Sequence, residues 1–308
     1  MKRKKITLTA FDFEKIFNEK LNDYVKSRIK KYKFSYYDLT FPERDACIKK
    51  IVSILLEQNI IRAGGQRIEH WEKGWSENLE KIAISLIAEP IIPRYFGKYN
   101  IVRWNQKFIK PASKNFEYNM LGVILDWVFD KYIRNAGAVY EFGCGTGHNL
   151  VRARKLNPAA ILWGLDWAVS SQAIIRKLAL ERSDSKLFAH RFNFFNPDMD
   201  FLVEKDAVVY TVASLEQIGT EFDKFITYLL SNKPKLCIHV EPIAELLDEN
   251  NLLDYLSIKY FKKRNYLDGF LTYLRQLESK GDIKILKAQR NYIGSFFIEG
   301  YSVVVWIP

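Results

Sequence analysis

The residues best suited to chemistry form one short run, Val139-Tyr140-Glu141-Phe142-Gly143-Cys144-Gly145-Thr146-Gly147, in which a carboxylate ending an apolar stretch leads into three alternating glycines. The apolar run from Ala136 to Phe142 reads as a buried strand and Asn149 to Leu156 as a helix, so the glycines fall where the chain must reverse. A residue without Cβ takes positive φ freely and lets the backbone approach a ligand closely. Such a turn can cradle a nucleotide. A second carboxylate, Asp166, closes the apolar run that starts at Ala160, 19 residues beyond Gly147, which leaves room for one helix between the two strands. A carboxylate at that strand tip can accept both hydroxyls of a ribose. Singly, Glu141 could be a capping or ion-pairing group and Asp166 the N-cap of a helix from Val169. In this order and spacing they point to cofactor binding.

The details exclude two common nucleotide sites. In a G-x-G-x-x-G loop the third glycine would fall on His148 or Leu150, and the Lys-Ser/Thr pair of a phosphate-gripping loop is absent. What remains resembles motif I of the class I S-adenosylmethionine-dependent methyltransferases, apolar-apolar-(Glu/Asp)-x-Gly-x-Gly-x-Gly, at every defined position. The resemblance implies S-adenosyl-L-methionine as cofactor, contacted by Glu141, Gly143, Cys144, Gly145, Gly147, Asn149, Asp166 and Trp167. Cys144 is read there as filling a small gap, not as a nucleophile.

The elements that would position these residues alternate. A helix at Met120 to Ile133 precedes strands at 138–142, 160–166, 186–192, 207–212, 235–240, 283–289 and 301–307, with helices after the first two strands. Alternation implies a parallel sheet, and the last two strands are too close in sequence for a crossover helix, so the final strand should be antiparallel. The expected fold class is α/β, a seven-stranded mostly parallel sheet with helices on both faces, plus an N-terminal helical cap. This is the organisation of the class I methyltransferases, and the resemblance spans residues 119–308. Residues 1–118 then form the cap and substrate region, with helices over Phe11 to Lys31, from Thr40 to about Gln58, and from Ser76 to Ala88. Thr40-Phe41-Pro42-Glu43 has the form of a capping box with proline in the first turn.

In open parallel sheets ligands lie across the carboxyl ends of the strands. After the third strand come Asn193 and Phe194, which by resemblance would meet the adenine amino group and cover the ring, although Asn193 could simply make a turn with Asn196-Pro197. Thr211, near the end of the fourth strand, is placed with the cofactor contacts, and Glu216 and Gln217 follow that strand. His239 and Glu241 share one face of the fifth strand. Methyl transfer is an in-line displacement that needs an oriented acceptor and often a base. Glu216, His239 and Glu241 are the candidate catalytic groups. Candidate acceptor contacts are Gln217, Arg103 and Trp104 in the aromatic and basic segment 91–118, and Tyr260, Arg264 and Tyr266 in the long insert between the fifth and sixth strands. That insert could equally be two packed helices over Leu252 to Leu277.

Composition bounds the rest. With 308 residues and 48% hydrophobic content the chain can bury a large core. Its apolar runs fall far short of the ~20 residues that span a bilayer, and the basic start lacks a secretory apolar segment, so a cytoplasmic protein without a membrane span is expected. The three cysteines and four histidines have no metal-ligand spacing. Residues 1–120 hold 24 Lys and Arg against 14 Asp and Glu, whereas the remainder holds 23 against 22. The leading expectation is methyl transfer to an O or N atom of a polar small molecule or glycan-type acceptor. An RNA methyltransferase using the basic N-terminal region is the second, weakened by the missing Asn/Asp-Pro-Pro-Tyr/Phe signature after the fourth strand, and a non-catalytic cofactor-binding module is the third.

Overall fold

The computed structural model describes residues 3–85, 92–93 and 95–308. In chain order these form β1 (Ile6–Thr7), α1 (Ala10–Phe17), α2 (Asp23–Tyr32), β2 (Ser35–Asp38), α3 (Phe41–Leu56), α4 (Ile68–Ser85), β3 (Val102–Trp104), β4 (Lys107–Pro111) and α5 (Phe116–Tyr132). There follow β5 (Ala138–Phe142), α6 (His148–Leu156), β6 (Ile161–Asp166), α7 (Val169–Glu181), β7 (Leu187–Arg191), β8 (Val208–Val212), α8 (Asp223–Asn232) and β9 (Leu236–Glu241). The chain closes with α9 (Leu252–Arg264), α10 (Phe270–Lys280), β10 (Lys284–Gln289), β11 (Ile293–Gly294) and β12 (Ser302–Ile307).

The large sheet has the order β10-β12-β9-β8-β5-β6-β7. β5 to β9 pair in parallel, and β12 runs antiparallel to both β9 and β10. Each strand lies within a residue or so of its expected bounds, because a strand buried on both faces reads as a continuous apolar run. Register brings the carboxyl ends level: Phe142 pairs with Leu165 and with Thr211, and Val212 with Val240. The turns after β5, β6 and β8 therefore emerge side by side.

Before α5 the chain supplies helices, as expected, and also a small antiparallel sheet, β1-β2-β4-β3-β11, that the sequence reading did not foresee. The segment 91–118, which lacked a clear period, contains the hairpin β3–β4. Its two-residue loop, Asn105-Gln106, takes positive φ at both positions (47° and 59°), the backbone of the tight turns that match strand twist. β11 comes from the far end of the chain, so no local pattern could reveal the pairing. The helix read over Phe11 to Lys31 is two, because Asn18 turns left-handed and Asn22 caps α2 by accepting from the Val25 N–H. The Thr40 capping box is present. α4 begins well before Ser76, and the expected helix end at Ala88, like Arg94, lies outside the described residues.

Every residue of α5 from Met120 to Phe129 is buried, since one side meets the sheet and the other meets the N-terminal helices. Phe17 stacks on Trp127 at 4.4 Å. Asp126 ties three helices, accepting from Arg28 on α2 and Arg152 on α6 at 3.0 and 2.7 Å. A second buried network corrects one expectation. Arg103 is 2% exposed and donates to the carbonyls of Leu253, Phe296 and Phe297, and Trp104 packs on Phe13, so both are interior side chains and neither lines the cleft described below. Beside them Arg290 bridges Glu299 and Asp254 at 2.6 and 2.7 Å. No helix among the described residues is long and apolar enough to cross a membrane.

Removing the cation from this buried cluster should strand two carboxylates in a low-dielectric site. Arg290→Met is expected to lower unfolding free energy by about 3–5 kcal/mol in urea titrations. A loss below about 1 kcal/mol, the range of exposed pairs, would mean that the network is solvated.

Candidate active site

The turn after β5 is held from below: the Gly143 and Cys144 N–H groups both donate to the Leu165 carbonyl, at 2.7 and 3.0 Å. Gly143, Gly145 and Gly147 all have positive φ. At Gly143 a Cβ would lie 2.3 Å from the Ser214 Cβ, so only glycine lets the turns after β5 and β8 approach. At Gly145 a Cβ would lie 2.9 Å from the Trp75 ring.

Asp166, at the end of β6, joins this turn to the next. One carboxylate oxygen accepts from the Gly145 N–H at 2.9 Å and the other from the Ala168 N–H at 3.0 Å. Each oxygen keeps capacity for a further donor. Burial pushes the carboxyl up to about 6, against the lowering effect of both N–H groups. Capping of α7 falls instead to Glu72 of α4, which accepts from the Val169 and Ser170 N–H groups at 2.6 and 2.9 Å.

These turns line a cleft of about 710 Å3, a figure that includes open solvent. Its floor is Gly143, Cys144, Gly145, His148 and Asn149, with Asp166, Trp167, Phe192 and Phe194 on one side. Val212, Ala213, Ser214, Gln217 and Ile218 form the other side, and Trp71, Trp75 and Tyr95 face them from the N-terminal region. Tyr95 belongs to the aromatic and basic segment 91–118 read as a possible active-site lining, whereas Trp71, Trp75 and His148 were absent from the residues singled out by sequence. The i, i+4 spacing of Trp71 and Trp75 was a usable signal, since it places both rings on one helix face. Among the described residues, three buried polar atoms of lining residues have no protein partner: Trp71 Nε1, His148 Nε2 and Gln217 Oε1. Buried polar groups are normally paired, so unpaired ones on residues that line a cleft make those residues candidates for ligand contact.

Several expected site residues are placed elsewhere. Glu141 is fully buried and does not line the cleft; it accepts from Asn149 Nδ2 at 2.8 Å and from the Tyr210 hydroxyl at 3.0 Å, so it acts through Asn149. Gly147 is covered by Ile175. Cys144, by contrast, stays in the cleft floor as a packed side chain, 1% exposed and with burial pushing its thiol well up, which fits a gap-filling role and not a nucleophile. Asn193 makes the local turn, its side-chain oxygen accepting from the Phe195 N–H at 3.0 Å.

Two catalytic candidates are occupied by internal bonds. His239 Nε2 accepts from the Trp306 indole N–H at 2.9 Å, so its proton sits on Nδ1 and is donated to Thr211 at 2.9 Å. Burial takes His239 down to about 3, and neither it nor Thr211 reaches the cleft. Glu241 is fully buried and caps the short turn Leu215–Ile218, accepting from the N–H groups of Ser214, Leu215 and Glu216. Glu216 remains half-buried beside Gln217, whose side-chain amide donates to it at 2.9 Å. Burial, then the neighbouring Glu241, raises Glu216 to about 8, opposed by Arg264 and Arg67. Tyr260, Arg264 and Tyr266 gather around this carboxylate from the end of α9 without lining the cleft. Among the described residues no His, Cys, Asp and Glu group is arranged to hold a metal ion.

No protein-family model and no curated protein sequence matches the chain. Among solved structures, the 4+2 cyclase SpnF matches with a TM-score of 0.51 at 13% identity, over 81% of this chain and 97% of that one. With the sheet order and the antiparallel β12, the architecture is decided. The chain has the class I methyltransferase fold. Two methyltransferases are also similar, at lower scores. Magnesium protoporphyrin IX methyltransferase from Synechocystis PCC 6803 gives 0.44 at 15% identity, over 61% and 81% of the chains. Geranyl diphosphate C-methyltransferase from Streptomyces coelicolor A3(2) gives 0.45 at 10% identity, over 77% and 97%.

Within this methyltransferase-type sheet, Glu141 generates a pH prediction. Burial raises its folded pKa from 4.5 to about 8, so its contribution to stability is full below about 4.5 and is lost as pH rises through about 8. Glu141→Gln should therefore remove one proton's share of that decline, making the variant gain on wild type between pH 5 and 8 in denaturant titrations. Parallel profiles for the two proteins would refute the assignment.

Proposed function

We propose that the protein is an S-adenosylmethionine-dependent methyltransferase acting on a small molecule. The observation that carries this reading is Asp166, a carboxylate at the tip of β6 whose two oxygens are oriented by the Gly145 and Ala168 N–H groups while the side chain still lines the cleft. The residues fit the cofactor: Asp166 would take the ribose hydroxyls, Phe194 and Trp167 the adenine, and Asn149 and His148, at the start of α6, the amino-acid end. Bound there, the cofactor supplies an electrophilic methyl group. The remaining work falls to the chain itself, which must orient the acceptor and exclude water under Trp71, Trp75 and Tyr95. None of the three expected bases lines the cleft, but Glu216, bonded to the lining residue Gln217, is the one carboxylate of the three free of backbone capping and partly open to solvent. With a pKa near 8 it would serve as base to a growing fraction of molecules as pH rises to that value.

A second reading, RNA methylation, has one observation in its favour. A groove beside β1 and α2 is lined by Lys5, Lys26, Lys30 and Lys33 and shares no residue with the cleft. RNA affinity that falls steeply with salt would support it.

Calorimetry with S-adenosylhomocysteine tests the main reading. Wild type should bind, and Asp166→Ala should weaken binding at least about tenfold, as expected for losing hydrogen bonds to a charged group. Equal affinity in the two proteins would place the ribose elsewhere.

A further inference from the structure

The cleft has two unlike halves. Asp166, Trp167, Phe192 and Phe194 surround the strand ends where the ribose and adenine are placed. Apart from the floor, the remaining lining residues come from the β8 turn and the N-terminal region and include Trp71, Tyr95, Gln217 and Ile218; among the described residues, Gln217 Oε1 and Trp71 Nε1 are buried without a partner. Gln217 is 8% exposed, and its amide nitrogen is committed to Glu216 at 2.9 Å, which fixes the oxygen as the atom left to accept. Trp71 is itself braced, stacked on Trp75 at 5.6 Å and covered by the Arg67 guanidinium at 5.4 Å. Fixed aromatic faces with one or two placed polar groups suit a flat apolar body that carries a single donor. A sugar, with a hydroxyl on nearly every carbon, would leave most of its donors and acceptors unpaired there.

We propose that this half receives an aromatic acceptor bearing one hydroxyl or amine, its ring against Trp71, Tyr95 and Ile218 and its O–H or N–H donated to Gln217 Oε1. The proposal rests on the methyltransferase reading above, and it replaces the polar or glycan-type acceptor expected from sequence with a planar, mostly apolar class.

The test titrates 2-naphthol, naphthalene and glucose into the full-length protein saturated with S-adenosylhomocysteine, followed by tryptophan fluorescence. Naphthol is expected to bind and glucose not. Trp71→Ala should weaken naphthol about tenfold, and Trp71→Phe, which keeps an aromatic face, less. Gln217→Leu should weaken naphthol about threefold to tenfold while leaving naphthalene unchanged, because only the naphthol donates. Circular dichroism identifies any variant that fails to fold, in which case the Trp71→Phe and Gln217→Leu results decide. Naphthol binding no tighter than glucose, displacement of naphthol by S-adenosylhomocysteine, or equal losses for naphthol and naphthalene in Gln217→Leu would overturn the proposal. If S-adenosylhomocysteine binds and naphthol does not, the acceptor assignment alone fails. If naphthol binds and S-adenosylhomocysteine does not, the methyltransferase reading fails.

Discussion

The Asp166 carboxylate is the joint on which the site depends. It sits at the end of β6 and binds the Gly145 N–H of one turn and the Ala168 N–H of the next, so two loops from neighbouring strands share one acceptor. The geometry needs the parallel register that sets Phe142 beside Leu165, and it needs a turn after β5 tight enough to bring Gly145 within 2.9 Å. Keeping a carboxylate buried costs free energy, seen in its raised pKa, and the two N–H groups offset part of that cost. A buried acceptor with spare lone pairs at the mouth of a cleft is oriented in advance for a hydroxyl-bearing ligand.

The N-terminal region is joined to this site by direct bonds. Glu72 of α4 caps α7, the helix that follows Asp166, and the same helix carries Trp71 and Trp75 into the lining of the cleft. α5, buried on both sides, provides the common wall between the sheet and α1 and α2. The antiparallel sheet of the N-terminal region is completed by β11 from the C-terminal part, so chain order and spatial neighbourhood diverge at that point.

Sequence made the sheet legible because doubly buried strands are written as apolar runs, and it made the glycine turn legible because its backbone demands are local. Roles that depend on tertiary partners were not legible. His239 and Glu241 lie on the right strand, but Trp306 and Thr211 occupy one and three consecutive N–H groups occupy the other. Arg103 stands in a segment rich in aromatic and basic residues, yet its partners are carbonyls about 150 and 190 residues away in the chain. Trp71 and Trp75 were hidden differently: a tryptophan pair on a helix usually marks core, and only the packing of α4 against α7 brings it to the lining of the cleft.

The most direct test of the account is a crystal of the protein soaked with S-adenosylhomocysteine. The account predicts both ribose hydroxyls within hydrogen-bond distance of the Asp166 carboxylate, with the Gly145 N–H still donating to it and the thioether sulfur facing Gln217. An adenosine bound away from β6, or an Asp166 side chain turned from the ligand, would contradict it.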